Sequence, residues 1–167
     1  MADVRLQQES SMRIAFAVAA SLVAAAPAFA QDPLARGAYL AQIMDCGGCH
    51  TEGALIGQPD PKLEFAGSSI GFDVPGYGYV FPPNLTSDRE TGKGDWTAED
   101  IKRAITTGER PDGRILVVMP WQHYSALTPE DADALAAYID SLPPVAHAVP
   151  RFTPAGQPQP GPVLTVR

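Results

Sequence analysis

The chain has 167 residues, of which 12 are Lys or Arg and 19 are Asp or Glu, so its formal net charge is −7. That length suits one domain with its own core. The acidic balance argues against nucleic acid as a partner and permits docking on a basic patch of another protein.

Residues 1–30 have the layout of a secretory signal peptide. A basic start at Met12-Arg13 precedes an apolar run over residues 14–26, and Ala28-Phe29-Ala30 forms a small-x-small cleavage pattern. The apolar run is shorter than the roughly 20 residues that span a bilayer, although an uncleaved membrane anchor is the alternative. We expect cleavage after Ala30, with Met12 as a candidate true start. Residues 31–167 keep the net charge of −7.

The first predicted helix begins at Asp32-Pro33, because Asp caps open N–H groups and Pro is tolerated at the first helical position. Its apolar residues recur at helical spacing. They are Gly37, Leu40, Ala41 and Met44. The Gly- and Pro-rich stretch 53–83 is predicted to be an ordered loop with a short hairpin around Tyr77 to Phe81.

Two more helices are predicted towards the C-terminus. One begins at the cap Thr97 and ends at Gly108, and the other begins at the cap Thr128 and ends before Pro143-Pro144. No internal repeat is visible, so we expect one all-α domain over residues 31–145, built from three to four helices and long loops. The Pro-rich tail 146–167 is expected to be extended or mobile.

The strongest motif is Cys46-Gly47-Gly48-Cys49-His50, the attachment pattern of haem c. Two thiols three residues apart can each form a thioether with one vinyl group of the same macrocycle. The next residue then lies beneath the iron, so His50 is predicted to be the proximal ligand. Covalent haem c and its iron are therefore the expected cofactors.

Three other uses of this cysteine pair are weaker. A redox dithiol usually begins a helix that follows a strand, whereas this pair follows a predicted helix. A closed zinc site needs four ligands, and beside the two thiols residues 31–167 offer His50, His123 and His147. A structural disulfide is the third alternative.

The sixth iron ligand is predicted by elimination to be Met119. Met44 lies on the helix that leads into the attachment motif and cannot reach across the haem. Met119 lies in a loop between two helices, before Pro120, and its thioether would favour reduced iron. The alternatives are that Met119 is core filler and that His123 is the ligand.

At this point the chain resembles the class I c-type cytochromes, and more narrowly the monohaem cytochromes and cytochrome subunits of periplasmic dehydrogenases. The shared motifs span nearly all of residues 34–145. They are Gly37-Ala38-Tyr39-Leu40, Cys46 to His50, Pro83-Asn84-Leu85-Thr86-Ser87-Asp88, Gly94-Asp95-Trp96, Met119-Pro120 and Leu127 to Pro144.

The resemblance implies a class I cytochrome c fold, in which the N- and C-terminal helices cross at a small residue. Gly37 and Tyr138 are the candidates for that crossing. It also implies that the carbonyl of Pro83 orients the haem histidine. Trp96 and Tyr124 are candidates to line the haem or meet its propionates, with an ordinary core role as the alternative.

The implied function is that of a periplasmic monohaem cytochrome c rather than an enzyme. It would carry single electrons from a dehydrogenase to an oxidase or another cytochrome, without a catalytic residue of its own. The alternative is a haem enzyme or gas sensor whose sixth position is open or displaceable. Contact with the membrane is expected only if the leader stays uncleaved.

Overall fold

The computed structural model describes residues 32–165. The described residues form five α-helices and two short 3-10 helices. They are α1 (Pro33–Ile43), α2 (Cys46–His50), the 3-10 helices Ala54–Ile56 and Pro61–Leu63, α3 (Ala98–Thr107), α4 (Trp121–Tyr124) and α5 (Pro129–Asp140). The predicted leader, its Met12 start and its cleavage site lie outside the described residues.

The three predicted helix starts are confirmed. The Asp32 carboxylate accepts a hydrogen bond from the main-chain N–H of Leu34 at the start of α1. Thr97 and Asp100 form a reciprocal capping box at the start of α3, and the Thr128 hydroxyl caps α5. Each cap satisfies main-chain N–H groups that have no partner within the helix.

The core forms where α1 packs against α5. Leu40 and Ala41 of α1 are buried with Leu135 and Ile139 of α5. Gly37 lies at the crossing, because a Cβ atom there would overlap the carbonyl oxygen of Ala134 and would lie 2.5 Å from the Cβ of Tyr138. The crossing expected at Gly37 and Tyr138 is therefore confirmed, and it closes one side of the domain.

The expectation of an all-α fold is wrong. The described residues also contain a four-stranded mixed sheet in the order β3-β2-β1-β4. Its strands are β1 (Gly71–Val74), β2 (Gly78–Val80), β3 (Thr153–Pro154) and β4 (Val163–Leu164). The strands β1 and β2 form an antiparallel hairpin, β3 pairs antiparallel with β2, and β4 pairs parallel with β1.

The sequence did not predict the sheet because most of its strand pairings join segments that are far apart in the chain. Strands of two to four residues are too short to show an alternating apolar pattern. The hairpin lies close to the predicted position, but its outer partners come from the tail, whose prolines gave no strand signal. The ring of Phe152 packs on Tyr77 with centroids 5.0 Å apart, which holds the tail against the hairpin.

Within residues 32–165, none of the helices has both the length and the apolar character needed to span a membrane.

Candidate haem site

The attachment motif forms the short helix α2, which follows α1 almost directly. Asp45 between them has a left-handed backbone with φ of 55°, which turns the chain from one helix into the next. Both thiols and the His50 ring line one large cavity. The motif that the sequence picked out is therefore placed on a wall of a cavity, as attachment of a macrocycle requires.

The His50 ring is oriented by the loop that carries Pro83. Its Nδ1 atom lies 2.8 Å from the carbonyl oxygen of Pro83. A carbonyl only accepts, so Nδ1 carries the donated proton and Nε2 is left as the ring nitrogen for a metal. Burial lowers the pKa of His50, while the hydrogen bond to Pro83 raises it. Burial thus favours the neutral imidazole that a metal needs.

Cys46 and Cys49 are both free thiols. Burial raises the pKa of Cys46 to about 11, and it also raises the pKa of Cys49, with the Asp45 carboxylate adding to both effects. A redox dithiol depends on a thiolate of lowered pKa. The shift in the opposite direction disfavours that alternative.

The cavity has a volume of about 690 Å³, within the usual range for small-molecule and cofactor sites. Its apolar wall comes from the core and from the hairpin. The residues of that wall include Phe72, Val80, Phe81, Leu85, Ile101 and Leu135. Such a wall suits a flat, largely apolar macrocycle.

Met119 lines the same cavity as His50 and is half-buried. Its loop is held at both ends, because the N–H of Leu116 donates to the carbonyl of Gly108 at 2.8 Å and the N–H of Trp121 donates to that of Met119 at 2.9 Å. The Trp121 indole N–H also donates to the Leu116 carbonyl at 2.9 Å. A loop fixed in this way can present a thioether to the cavity.

Trp96 and Tyr124 line the cavity as well. The Tyr124 hydroxyl donates to the main-chain carbonyl of Met44 at 3.2 Å, and burial raises the pKa of Tyr124. The Arg110 guanidinium lies 5.1 Å from the centre of the Trp96 ring. The Tyr124 hydroxyl thus has a hydrogen-bond partner and the face of the Trp96 ring has a cation partner, while both residues line the cavity.

The described cavity wall includes neither of the other two histidines. His123 is on an exposed part of α4, and the described cavity wall does not include it. The Nδ1 atom of the His147 ring lies 2.9 Å from the main-chain carbonyl oxygen of Ala66. A carbonyl accepts, so Nδ1 of His147 is the donor.

Sequence reasoning missed the contribution of the tail to this cavity. Val149, Pro150, Arg151 and Phe152 all line it. No periodic pattern marks this stretch, and the only signal is a basic and an aromatic residue within a Pro-rich segment. The cavity is also lined by three cations that each have an acidic partner. Lys93 pairs with Asp140, and Arg110 and Arg114 both pair with Asp112.

These residues fit haem c. Two thiols and an oriented imidazole line the cavity together with a thioether. The rest of its lining is mostly apolar and also carries cations and the acidic residues Asp45 and Glu90. His/Met ligation is one of the known arrangements in cytochromes c.

Comparison with known proteins agrees with this fit. Residues 32–139 match the family described as cytochrome c oxidase, cbb3-type, subunit III. The chain is 33% identical to the cytochrome c subunit of a quinone-dependent alcohol dehydrogenase from Gluconobacter oxydans, over 84% of this chain and 29% of the relative.

Two further relatives are also named as dehydrogenase subunits. The fructose dehydrogenase cytochrome subunit of Gluconobacter japonicus is 36% identical, over 68% of this chain and 22% of the relative. The gluconate 2-dehydrogenase cytochrome c subunit of Pantoea cypripedii is 37% identical, over 77% of this chain and 28% of the relative. The chain therefore spans less than a third of the length of these relatives.

The predicted resemblance to the cytochrome subunits of dehydrogenases is confirmed. The match covers well over half of the chain and includes both cysteines, His50 and Met119. The chain belongs to the cytochrome c family described as cytochrome c oxidase, cbb3-type, subunit III.

Proposed function

We propose that this chain is a periplasmic monohaem cytochrome c that carries single electrons between a dehydrogenase and a downstream acceptor. The observation that supports this most is the joint placement of Cys46, Cys49, His50 and Met119 around one cavity. The one attachment motif in the sequence supports a single haem. The names of the three relatives support a dehydrogenase as the electron donor.

Each of these four residues has a distinct role in the proposed function. Cys46 and Cys49 would hold the haem by thioether bonds, and His50 would bind its iron through Nε2. Met119 would supply the sixth ligand and so fill the position that a substrate or gas would need. When bound, the haem supplies an iron centre that accepts and releases one electron.

The protein around the site keeps the ligand geometry fixed. The Pro83 carbonyl holds the His50 ring, and the bonded ends of the Met119 loop limit its movement. An iron held by these two side chains would need little rearrangement of the protein between its two oxidation states. Electron exchange then depends on brief docking near the haem edge.

The net negative charge of the chain favours docking on basic partners. We expect the reduced protein to be oxidised faster by the cationic complex tris(phenanthroline)cobalt(III) at low salt than at high salt. The reason is that a Debye length of about 10 Å at 0.1 M salt screens the attraction. Oxidation by anionic ferricyanide should show the opposite trend.

Stopped-flow absorption at several salt concentrations measures both rates. The anionic oxidant is the matched control, since it shares every step except the sign of the attraction. Rates that do not depend on salt for either oxidant would point to apolar docking instead. A protein that neither oxidant converts would overturn the proposal that it carries electrons.

A further inference from the structure

A network of buried hydrogen bonds surrounds the residue that follows Pro83. The network, here called the Asn84 clamp, consists of the side chains of Asn84, Thr86 and Thr91 and the main chain at Val145 and His147. Asn84 and Thr86 are only 2% and 1% exposed. A polar cluster this deeply buried costs free energy unless its bonds are made, so its arrangement is specific.

The Asn84 side chain is held at both of its polar atoms. Its Nδ2 donates to the Val145 carbonyl at 2.8 Å and to the Thr91 hydroxyl at 3.2 Å. Its Oδ1 accepts from the main-chain N–H of Thr86 at 2.9 Å and from the Thr86 hydroxyl at 2.7 Å. Rotation of this amide would break bonds to two segments of the chain at once.

Thr86 completes the link to the C-terminal segment. Its hydroxyl oxygen accepts from the N–H of Val145 at 3.2 Å while the same group donates to Asn84. The N–H of His147 donates to the Thr91 hydroxyl at 3.0 Å. The clamp therefore joins the loop that carries Pro83 to the start of the tail, 59 to 61 residues away in sequence.

The other edge of the Pro83 loop is bonded to a segment that also contacts the haem histidine. The N–H of Ser68 donates to the Pro82 carbonyl at 3.1 Å, and the N–H of Leu85 donates to that of Phe65 at 2.8 Å. Between them, the N–H of Gly67 donates to the His50 carbonyl at 2.8 Å. The Pro83 carbonyl thus lies in a loop that is fixed from two sides, and the clamp is one of them.

We propose that Asn84 is a positioning residue for the proximal histidine: it fixes the Pro83 carbonyl in front of His50 Nδ1 and ties it to residues 145–147. The proposal rests on His50 being the iron ligand in the proposed function. A well-placed acceptor for Nδ1–H makes the imidazole a stronger donor, which favours ferric iron. Loosening that acceptor should therefore favour ferrous iron.

The first test is Asn84→Ala in the haem-loaded protein. We expect the equilibrium constant for reduction to rise by up to tenfold, which for one electron is about 59 mV. We also expect the His50 Nδ1 proton of the reduced protein to exchange faster with solvent, as measured by NMR. Arg36→Met is the control, because it removes the bonds of Arg36 to Asp131 between α1 and α5 and leaves the clamp intact.

The second test compares two variants of Thr86. Together they separate the effect of the hydroxyl group from the effect of side-chain packing. Thr86→Val removes the bonds that the hydroxyl makes to Asn84 and Val145 and keeps the main-chain bond to Asn84. It should shift the potential in the same direction as Asn84→Ala. Thr86→Ser keeps the hydroxyl and should retain the wild-type potential. This pair also decides the matter if Asn84→Ala does not fold.

The outcomes are distinguishable. Wild-type potential and proton exchange in both Asn84→Ala and Thr86→Val would overturn the positioning role. The same shift in Arg36→Met would also overturn it, because loss of stability alone would then explain the change. A wild-type protein that holds no haem on His50 would overturn the proposed function together with this inference.

Discussion

Met119→His is expected to lower the reduction potential by roughly a hundred millivolts or more, given that axial ligands set haem potentials over about 0.8 V. A thioether is a soft, neutral ligand that favours ferrous iron, whereas imidazole donates more strongly and favours ferric iron. The haem should stay attached because Cys46 and Cys49 are untouched. Equilibrium redox titration of the purified variant measures the shift.

The functional consequence follows from the size of that shift. A fall of 100 mV makes acceptance of one electron less favourable by about 2.3 kcal/mol, the same conversion of charge and voltage that applies across membranes. An electron donor matched to the wild-type potential should therefore reduce the variant poorly. The absorption band near the red end of the oxidised spectrum, which marks sulfur bound to iron, should disappear.

Met44→Leu is the matched control for this prediction. Met44 also lines the cavity, and exchange of Met for Leu conserves volume and usually costs less than about 1.5 kcal/mol. Its potential and its red band should match those of the wild type. If Met119→His instead keeps the red band and the potential, another sulfur binds the iron and Met119 is not the ligand. If the wild type itself shows no red band, His123 becomes the candidate.

Gly37→Val is expected to lower the free energy of unfolding by about 3 kcal/mol, the upper part of the usual range for overpacking. Its Cβ atom would overlap the carbonyl oxygen of Ala134, which belongs to the backbone of α5 and cannot rotate away. The two helices would have to separate, and the core at Leu40 and Leu135 would loosen with them.

Denaturation by guanidinium chloride, followed by far-UV circular dichroism, measures the loss. Ala35→Val is the matched control, since it adds a β-branched residue at an exposed position of the same helix and costs only helix propensity, less than about 1 kcal/mol. Equal stability of the two variants would show that the close crossing of α1 and α5 does not limit what fits at Gly37.

The sequence was sufficient for the parts of the fold that depend on local chemistry. Asp32, Thr97 and Thr128 mark helix starts because capping needs only neighbouring residues. The spacing of Cys46, Cys49 and His50 likewise predicts an attachment site within five residues. Pro83 was reached through resemblance to a family, and the structure adds its hydrogen bond to His50.

The sheet and the tail could not be predicted because they depend on distant pairing. Two residues of β3 and two of β4 have no pattern that distinguishes them from an extended tail. The hydrogen bond from Asn84 to Val145 joins positions 61 residues apart. Such contacts appear only once the hairpin and the core have brought the two segments together.

A mass measurement shows whether Cys46 and Cys49 hold a haem covalently. The chain should be produced in a bacterium that attaches haem c in its periplasm, then extracted with acid and acetone, which removes haem that is not covalently bound. We expect the polypeptide to keep the mass of one haem. A polypeptide that loses all of its haem in this extraction would contradict it.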